Sequence, residues 1–219
     1  LAIQAARAGR AVTLWARDPA RAAALAATRA NPRLPGHALP AAVTITAELP
    51  TAPLLLLVVP MQHLRAVAAR LPPGGPLVAC CKGLEAGSLR LPLEVLAEAC
   101  PGRPAAVLTG PNFAHEIAAG LPAAAVVAAR DPALRGAVVA ALATPGFRLY
   151  GNEDAVGAQV GGAAKNVVAI AAGAVMGAGL GENARAALIT RGLAELARLA
   201  AALGGQAETV SGLSGLGDL

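Results

Sequence analysis

Between residues 11 and 151, short runs of branched apolar residues alternate with longer alanine-rich stretches, and no other feature constrains the fold as tightly. The runs are AVTLWA (11–16), AVTIT (42–46), PLLLLVVP (53–60), PLVACC (76–81), AAVLTG (105–110), AAAVVAA (123–129) and FRLYG (147–151). They read as strands, and the spacers at 18–30, 61–71, 91–100, 112–119 and 131–142 read as helices. Strand, helix, strand repeated in this way is the pattern of a doubly wound parallel sheet. Two helix starts carry chemical signals as well. Asp18-Pro19 and Asp131-Pro132 each set a capping aspartate before a proline suited to the first helical position.

From about Asn152 the strands stop. Residues 153–180 and 183–204 read as two long helices joined around Gly179-Leu180-Gly181-Glu182, followed by a third short segment. The expected fold is therefore α/β: a Rossmann-like doubly wound parallel sheet over 1–152, then the start of an all-α domain over 153–219. The sequence has no initiator Met, opens inside a helical stretch and stops at GLGDL without a stop signal, so both ends read as cut. On this reading the first strand and its glycine turn precede Leu1.

Composition narrows the function. Hydrophobic residues make up 56% and charged residues 14% of the 219, enough apolar material for a real core. Aromatics, at 2%, are too few for a surface that stacks single-stranded nucleic acid. The arginines are scattered and form no nucleic-acid patch, so no nucleic-acid partner is expected. The longest uncharged apolar run, between Asn166 and Glu182, is short of a spanning helix and contains several glycines; no membrane span is expected. Cys80, Cys81 and Cys100 lack ligand spacing, which predicts reduced cysteines in a cytoplasmic protein and no metal site.

Several strand ends carry candidate functional residues. LAIQAARAGR reads as the remainder of a first helix, AVTLWA as the second strand of a dinucleotide fold, and Arg17 follows it directly. At that point an acidic residue would hold the ribose hydroxyls of NAD, whereas an arginine can pair with the 2′-phosphate of NADP. An ordinary solvated arginine fits the spacing equally well. CCKGLEAGS places Lys82-Gly83 at another strand end, and LTGPNFAHE places Gly110-Pro111-Asn112 there, opening a helix whose free amides can meet an anion. His115 is either a catalytic group or a surface residue, and nothing in its neighbourhood supplies a partner that favours the former.

Of 18 basic residues only two are lysine, Lys82 and Lys165. A chain that writes positive charge almost entirely as arginine keeps lysine where arginine would not serve. Guanidinium cannot give up its proton in the physiological range, whereas a desolvated lysine can act as acid or base. GGAAKNVVAI would desolvate Lys165, and the neighbouring Asn166 could hold a substrate hydroxyl without adding charge. The alternative is a lysine that snorkels to water from a helix end.

Taken together, CKGLE, TGPNFAHEIAAGLP, GGAAKNVVAIAAG, GENARAALITRGLAE and SGLSGLGDL resemble the bacterial NAD(P)-dependent glycerol-3-phosphate dehydrogenases, in order and over essentially the whole chain. The resemblance implies hydride transfer between NAD or NADP and a small phosphorylated substrate, interconverting glycerol 3-phosphate and dihydroxyacetone phosphate and supplying glycerol 3-phosphate for phospholipid synthesis. It implies that Lys165 transfers the proton with Asn166 beside it, that Asp218 orients Lys165 by an ion pair, and that Lys82 contacts cofactor and substrate. Gly110 and Asn112 would line the substrate side, Ala114 would sit against the cofactor, and a homodimer is possible. The family usually has Thr or Ser where Asn112 stands. Asn183 and Arg185 belong to a family signature and read as helix-packing and capping residues. The glycine-rich loop and the residues that hold the substrate phosphate have no counterpart here.

Two rivals follow from the same residues. A 3-hydroxyacid dehydrogenase of the 6-phosphogluconate type also uses a lysine on the helix after its dinucleotide domain, but with an asparagine four residues later; position 169 is alanine. A non-catalytic dinucleotide-sensing protein would keep the fold, yet it has no need of two lysines at strand and helix ends.

Overall fold

A computed structural model describes residues 1–219. The first part of the chain lays down α1 (Ala2–Arg7), β1 (Val12–Trp15), α2 (Pro19–Thr28), β2 (Val43–Thr46) and β3 (Leu55–Leu57). A 3₁₀ turn (Met61–His63) and α3 (Leu64–Ala68) then lead to β4 (Leu77–Ala79), α4 (Pro92–Ala99) and β5 (Ala105–Thr109). Next come α5 (Ala114–Ala119), β6 (Ala123–Ala128), α6 (Pro132–Leu142) and β7 (Phe147–Asn152). After β7 the chain is helical: α7 (Ala155–Gly177), α8 (Gly181–Ala202), α9 (Ala207–Val210) and a final 3₁₀ turn (Leu216–Asp218). Each predicted strand run contains a strand, and each predicted helical stretch a helix.

The strands form a two-stranded sheet, β1-β2, and a five-stranded sheet in the order β3-β4-β5-β6-β7. Every pairing is parallel except β5 with β6, so the expected parallel sheet carries one antiparallel pairing that the sequence did not announce. The cause lies in the connection. A parallel return needs a crossover that carries the chain back along the sheet. The six residues of α5 rise only about 9 Å, less than the roughly 16 Å length of β5, so β6 starts beside the end of β5 and runs the other way. The eleven residues of α6 do cover that length, and β7 returns parallel to β6.

Both faces of the larger sheet are buried, which is why its strands are almost continuously apolar. Along β5, Ala106 and Leu108 join Val78, Val127, Leu134, Val138 and Phe147 in one core, while Val107 joins Leu64, Leu77, Val95 and Leu96 in the other. A groove of about 680 Å³ separates the two sheets, with Val12–Trp15 on one wall and Leu54–Val59 on the other.

The predicted caps are present. Asp18 accepts from the amide of Ala20 (2.9 Å) and Asp131 from that of Ala133 (2.8 Å), with Pro19 and Pro132 opening the helices. A third cap was not read from the sequence. Asp154, 7% exposed, accepts from Gly157 at the start of α7 and from the Gln206 amide, both at 2.8 Å, and so ties the first turn of α7 to the segment before α9. By length and composition α7 could cross a membrane, but here it packs along α8 and against β5. Gly192 on α8 makes the close crossing possible, since a Cβ there would meet the Val168 side chain at 2.7 Å.

Candidate active site

The two lysines, 83 positions apart in the chain, meet at one carboxylate. Lys82 stands just beyond β4, Lys165 on the third turn of α7, and Asp218 in the last 3₁₀ turn. Lys165 Nζ lies 2.6 Å from Asp218 Oδ1 and donates to the Asp218 backbone carbonyl at 2.5 Å. Lys82 Nζ pairs with Asp218 Oδ2 and donates to the Gly110 carbonyl at 3.0 Å. Asp218 keeps 3% of its side-chain surface, Lys165 12% and Lys82 28%, so water screens this cluster only weakly. Burial lowers the Lys82 pKa from its ordinary value, and the Asp218 carboxylate opposes that shift.

Glycine makes the convergence possible. A Cβ on Gly161 would lie 2.8 Å from the Ser214 carbonyl, and one on Gly162 would lie 2.9 Å from Thr109 Oγ1 and 3.5 Å from the Lys82 stem. The Ser214-Gly215 segment that leads to Asp218 can therefore approach α7 closely on one side, and Lys82 on the other. A glycine inside a helix costs roughly 1 kcal/mol relative to alanine. The pair Gly161-Gly162 was the overlooked signal that something must come close here. Gly161→Ala, which would stabilise an unencumbered helix, is expected to lower the melting temperature. A melting temperature at or above that of the wild type would show that the Ser214 segment retreats freely.

The other predicted site residues are placed less uniformly. Gly110 directly follows β5 at φ +135°, and a Cβ there would meet Ala125 Cα at 3.1 Å, so its carbonyl is presented to Lys82 by a backbone few other residues could adopt. Asn112 follows two residues later with a buried Oδ1 that has no hydrogen-bond partner. Both precede α5, which begins at Ala114 and not at 112 as expected, and Ala114 itself is exposed. Asn166 is not brought to the lysine pair. One residue along a helix turns about 100°, and the side chain is exposed without a bond to Asp218. Arg17 follows β1 as expected and is exposed. His115 is 70% exposed beside Glu116. Asn183 and Arg185 are exposed on α8, whose N-cap is Leu180, so the capping role expected of them does not hold; Arg185 pairs with Glu182 at 2.5 Å.

Comparison with known proteins shows the family. Residues 1–135 match the family described as NAD-dependent glycerol-3-phosphate dehydrogenase N-terminus, and residues 154–219 match the corresponding C-terminus. The chain belongs to the NAD-dependent glycerol-3-phosphate dehydrogenase family. It is 65% identical over 212 residues to the NAD(P)+ glycerol-3-phosphate dehydrogenase of Acidiphilium cryptum, covering 96% of this chain and 66% of that one. Against the enzyme of the same name from Gluconobacter oxydans the identity is 56%, over 100% of this chain and 68% of the relative. The crystal structure of glycerol-3-phosphate dehydrogenase from Coxiella burnetii superposes with a TM-score of 0.93 at 38% identity, covering all of this chain and 70% of that one. The chain thus spans about two thirds of the length of its glycerol-3-phosphate dehydrogenase relatives.

Proposed function

We propose that the protein interconverts glycerol 3-phosphate and dihydroxyacetone phosphate with NAD or NADP, and that the convergence of Lys82 and Lys165 on Asp218 is its proton-transfer site. That convergence carries the reading. It places two ammonium groups, the only lysines of the chain, around one buried carboxylate at the carboxyl ends of β4 and β5. In an α/β sheet that edge is where ligands bind.

The residues present fit a nicotinamide cofactor and an oxygen-rich substrate. Arg17 is an exposed cation at the end of β1, suited to a 2′-phosphate, and Ala114 leaves the start of α5 uncrowded. The buried, unpaired Oδ1 of Asn112 accepts a hydroxyl hydrogen bond that the protein does not itself satisfy. When bound, the cofactor supplies or accepts the hydride. The protein does the rest. Lys165 Nζ, held by the carboxylate and backbone carbonyl of Asp218, gives a proton to the substrate carbonyl oxygen as charge develops there, and takes it back in the reverse direction. Lys82 adds a second positive charge near that oxygen, fixed by the Gly110 carbonyl. Asp218 holds the two ammonium groups together, one on each carboxylate oxygen.

A cytoplasmic homodimer that supplies glycerol 3-phosphate for phospholipid synthesis is consistent with this chemistry. The test is oxidation of NADPH by the full-length protein in the presence of dihydroxyacetone phosphate, with glycerol 3-phosphate identified as product. Turnover of a 3-hydroxyacid in its place would favour the 6-phosphogluconate type of reaction, and tight dinucleotide binding without turnover would favour a sensor. For the cofactor, Arg17→Ala is expected to raise the KM for NADPH at least about tenfold while barely changing that for NADH, since a charge-assisted phosphate contact is lost. Equal effects on both would remove Arg17 from the 2′-phosphate site.

A further inference from the structure

Lys82 begins a ten-residue segment between β4 and α4 that has no regular structure of its own. Gly83 (φ +117°), Gly87 (+87°) and Leu89 (+57°) all lie in the left-handed region, and for Leu89 that conformation is strained. A segment of this kind is ordinarily mobile. This one is held along its length by side chains that never touch Lys82. From the 3₁₀ turn after β3, Gln62 donates to the Leu84 carbonyl and accepts from the Ala86 amide, each at 2.8 Å, mimicking a strand pairing. From α3, Arg65 grips Glu85 with two parallel bonds, Nε to Oε1 and Nη2 to Oε2, both 2.8 Å.

The grip is itself supported. Ser88 donates to Glu85 Oε2 at 2.6 Å, Arg65 also reaches Glu98 on α4 at 2.8 Å, and Arg90 pairs with Glu98 at 2.7 Å. Glu85 keeps 14% of its side-chain surface. An exposed single ion pair contributes little to stability, but a two-bond arginine fork fixes direction as well as distance.

We propose that Arg65 and Glu85 form a clamp that positions Lys82, setting its ammonium between Gly110 and Asp218 through the backbone of residues 82–85. Arg65 and Glu85 are positioning residues, and the catalytic meaning of the clamp rests on the function proposed above. The alignment explains why the segment can carry a strained Leu89 and still hold a lysine to a 3.0 Å contact. It also shows why an acidic residue stands three positions after the lysine. The Arg65 guanidinium, with Ser88 behind it, pulls the Glu85 carboxyl down from its usual 4.5 to about 2. A carboxyl depressed in the folded state stabilises above the unfolded value and loses that contribution as pH falls through the folded one. The clamp is therefore fully closed above pH 4.5 and opens as pH falls toward 2.

The test reads Lys82 directly and does not depend on turnover. Side-chain NMR of the full-length protein labelled only at lysine, with the signals assigned by Lys82→Arg and Lys165→Arg, follows Lys82 and Lys165 separately. The groups that face Lys82 are Asp218 and Lys165; those that face Glu85 are Arg65 and Arg90. In Glu85→Gln the segment loosens, the Lys82 ammonium gains water, and its midpoint should climb toward the ordinary value by about half a pH unit or more, while Lys165 stays put. The exchanged pair Arg65→Glu/Glu85→Arg should bring Lys82 back toward its wild-type midpoint. An unchanged Lys82 titration in Glu85→Gln would overturn the clamp, as would equal movement of both lysines in a folded protein. If Glu85→Gln does not fold, Arg65→Lys decides, because it keeps the charge and removes the fork: an unchanged Lys82 midpoint there overturns the proposal too. Failure of dihydroxyacetone phosphate to turn over would refute the proposed reaction and leave these titrations as they are.

Discussion

Lys165→Met in the full-length protein is expected to lower kcat by about 10² to 10⁴, the range of general acid–base catalysis by a positioned side chain. Methionine keeps the unbranched stem and removes the proton donor. Only 12% of the side chain is exposed, and a volume-conserving unbranched replacement should fit without unfolding α7. NADPH binding should change little, because the candidate cofactor residues Arg17 and Ala114 lie on other elements. Steady-state turnover together with fluorescence titration of NADPH separates the two effects. A parallel loss of affinity and rate would make Lys165 a binding charge.

Asp218→Asn should be the most damaging single change to the site as a whole. It leaves the shape in place and withdraws the one negative charge facing two ammonium groups. Removing one partner of a buried ion pair costs about 3 to 5 kcal/mol, and the lower end applies here because Lys82 is 28% exposed and its head can turn toward water. Turnover should fall by about 10² or more as both lysines lose their common anchor. Denaturant unfolding and turnover measured on the same variant give the two numbers. Lys165 also bonds to the Asp218 backbone carbonyl, so near-normal stability and rate would show that this carbonyl, and not the carboxylate, fixes the lysine.

Much of this was legible in the sequence because period and turn chemistry act locally. The strand runs, the Asp-Pro helix starts and the change to helices after β7 each depend on residues within a few positions of one another. The direction of β6 was not legible. AAAVVAA reads alike in either orientation, and the short helix before it, Ala114–Ala119, gives no local sign of which way the next strand will run. Lys165 and Lys82 stood out against the arginine bias, but their meeting at Asp218 is a contact between distant parts of the chain that no periodicity encodes. Resemblance to a family named the three residues; only the fold shows both ammonium groups on one carboxylate. The Arg65–Glu85 fork escaped notice for the same reason, since a segment without regular structure gives no sign of which helix it folds against. Asn166 misled because adjacency in sequence suggested adjacency in space, whereas neighbours on a helix point in different directions.

The central claim is that Lys165 moves a proton, and Lys165→Arg tests it most directly. Arginine keeps the positive charge and most of the reach to Asp218, but stays protonated across the physiological range. The measurement is NADPH oxidation with dihydroxyacetone phosphate across pH, with cofactor affinity determined separately. If Lys165 is the proton donor, the arginine variant should be nearly as slow as the methionine variant at every pH. Turnover close to that of the wild type would contradict the assignment and leave Lys165 as a substrate-binding charge.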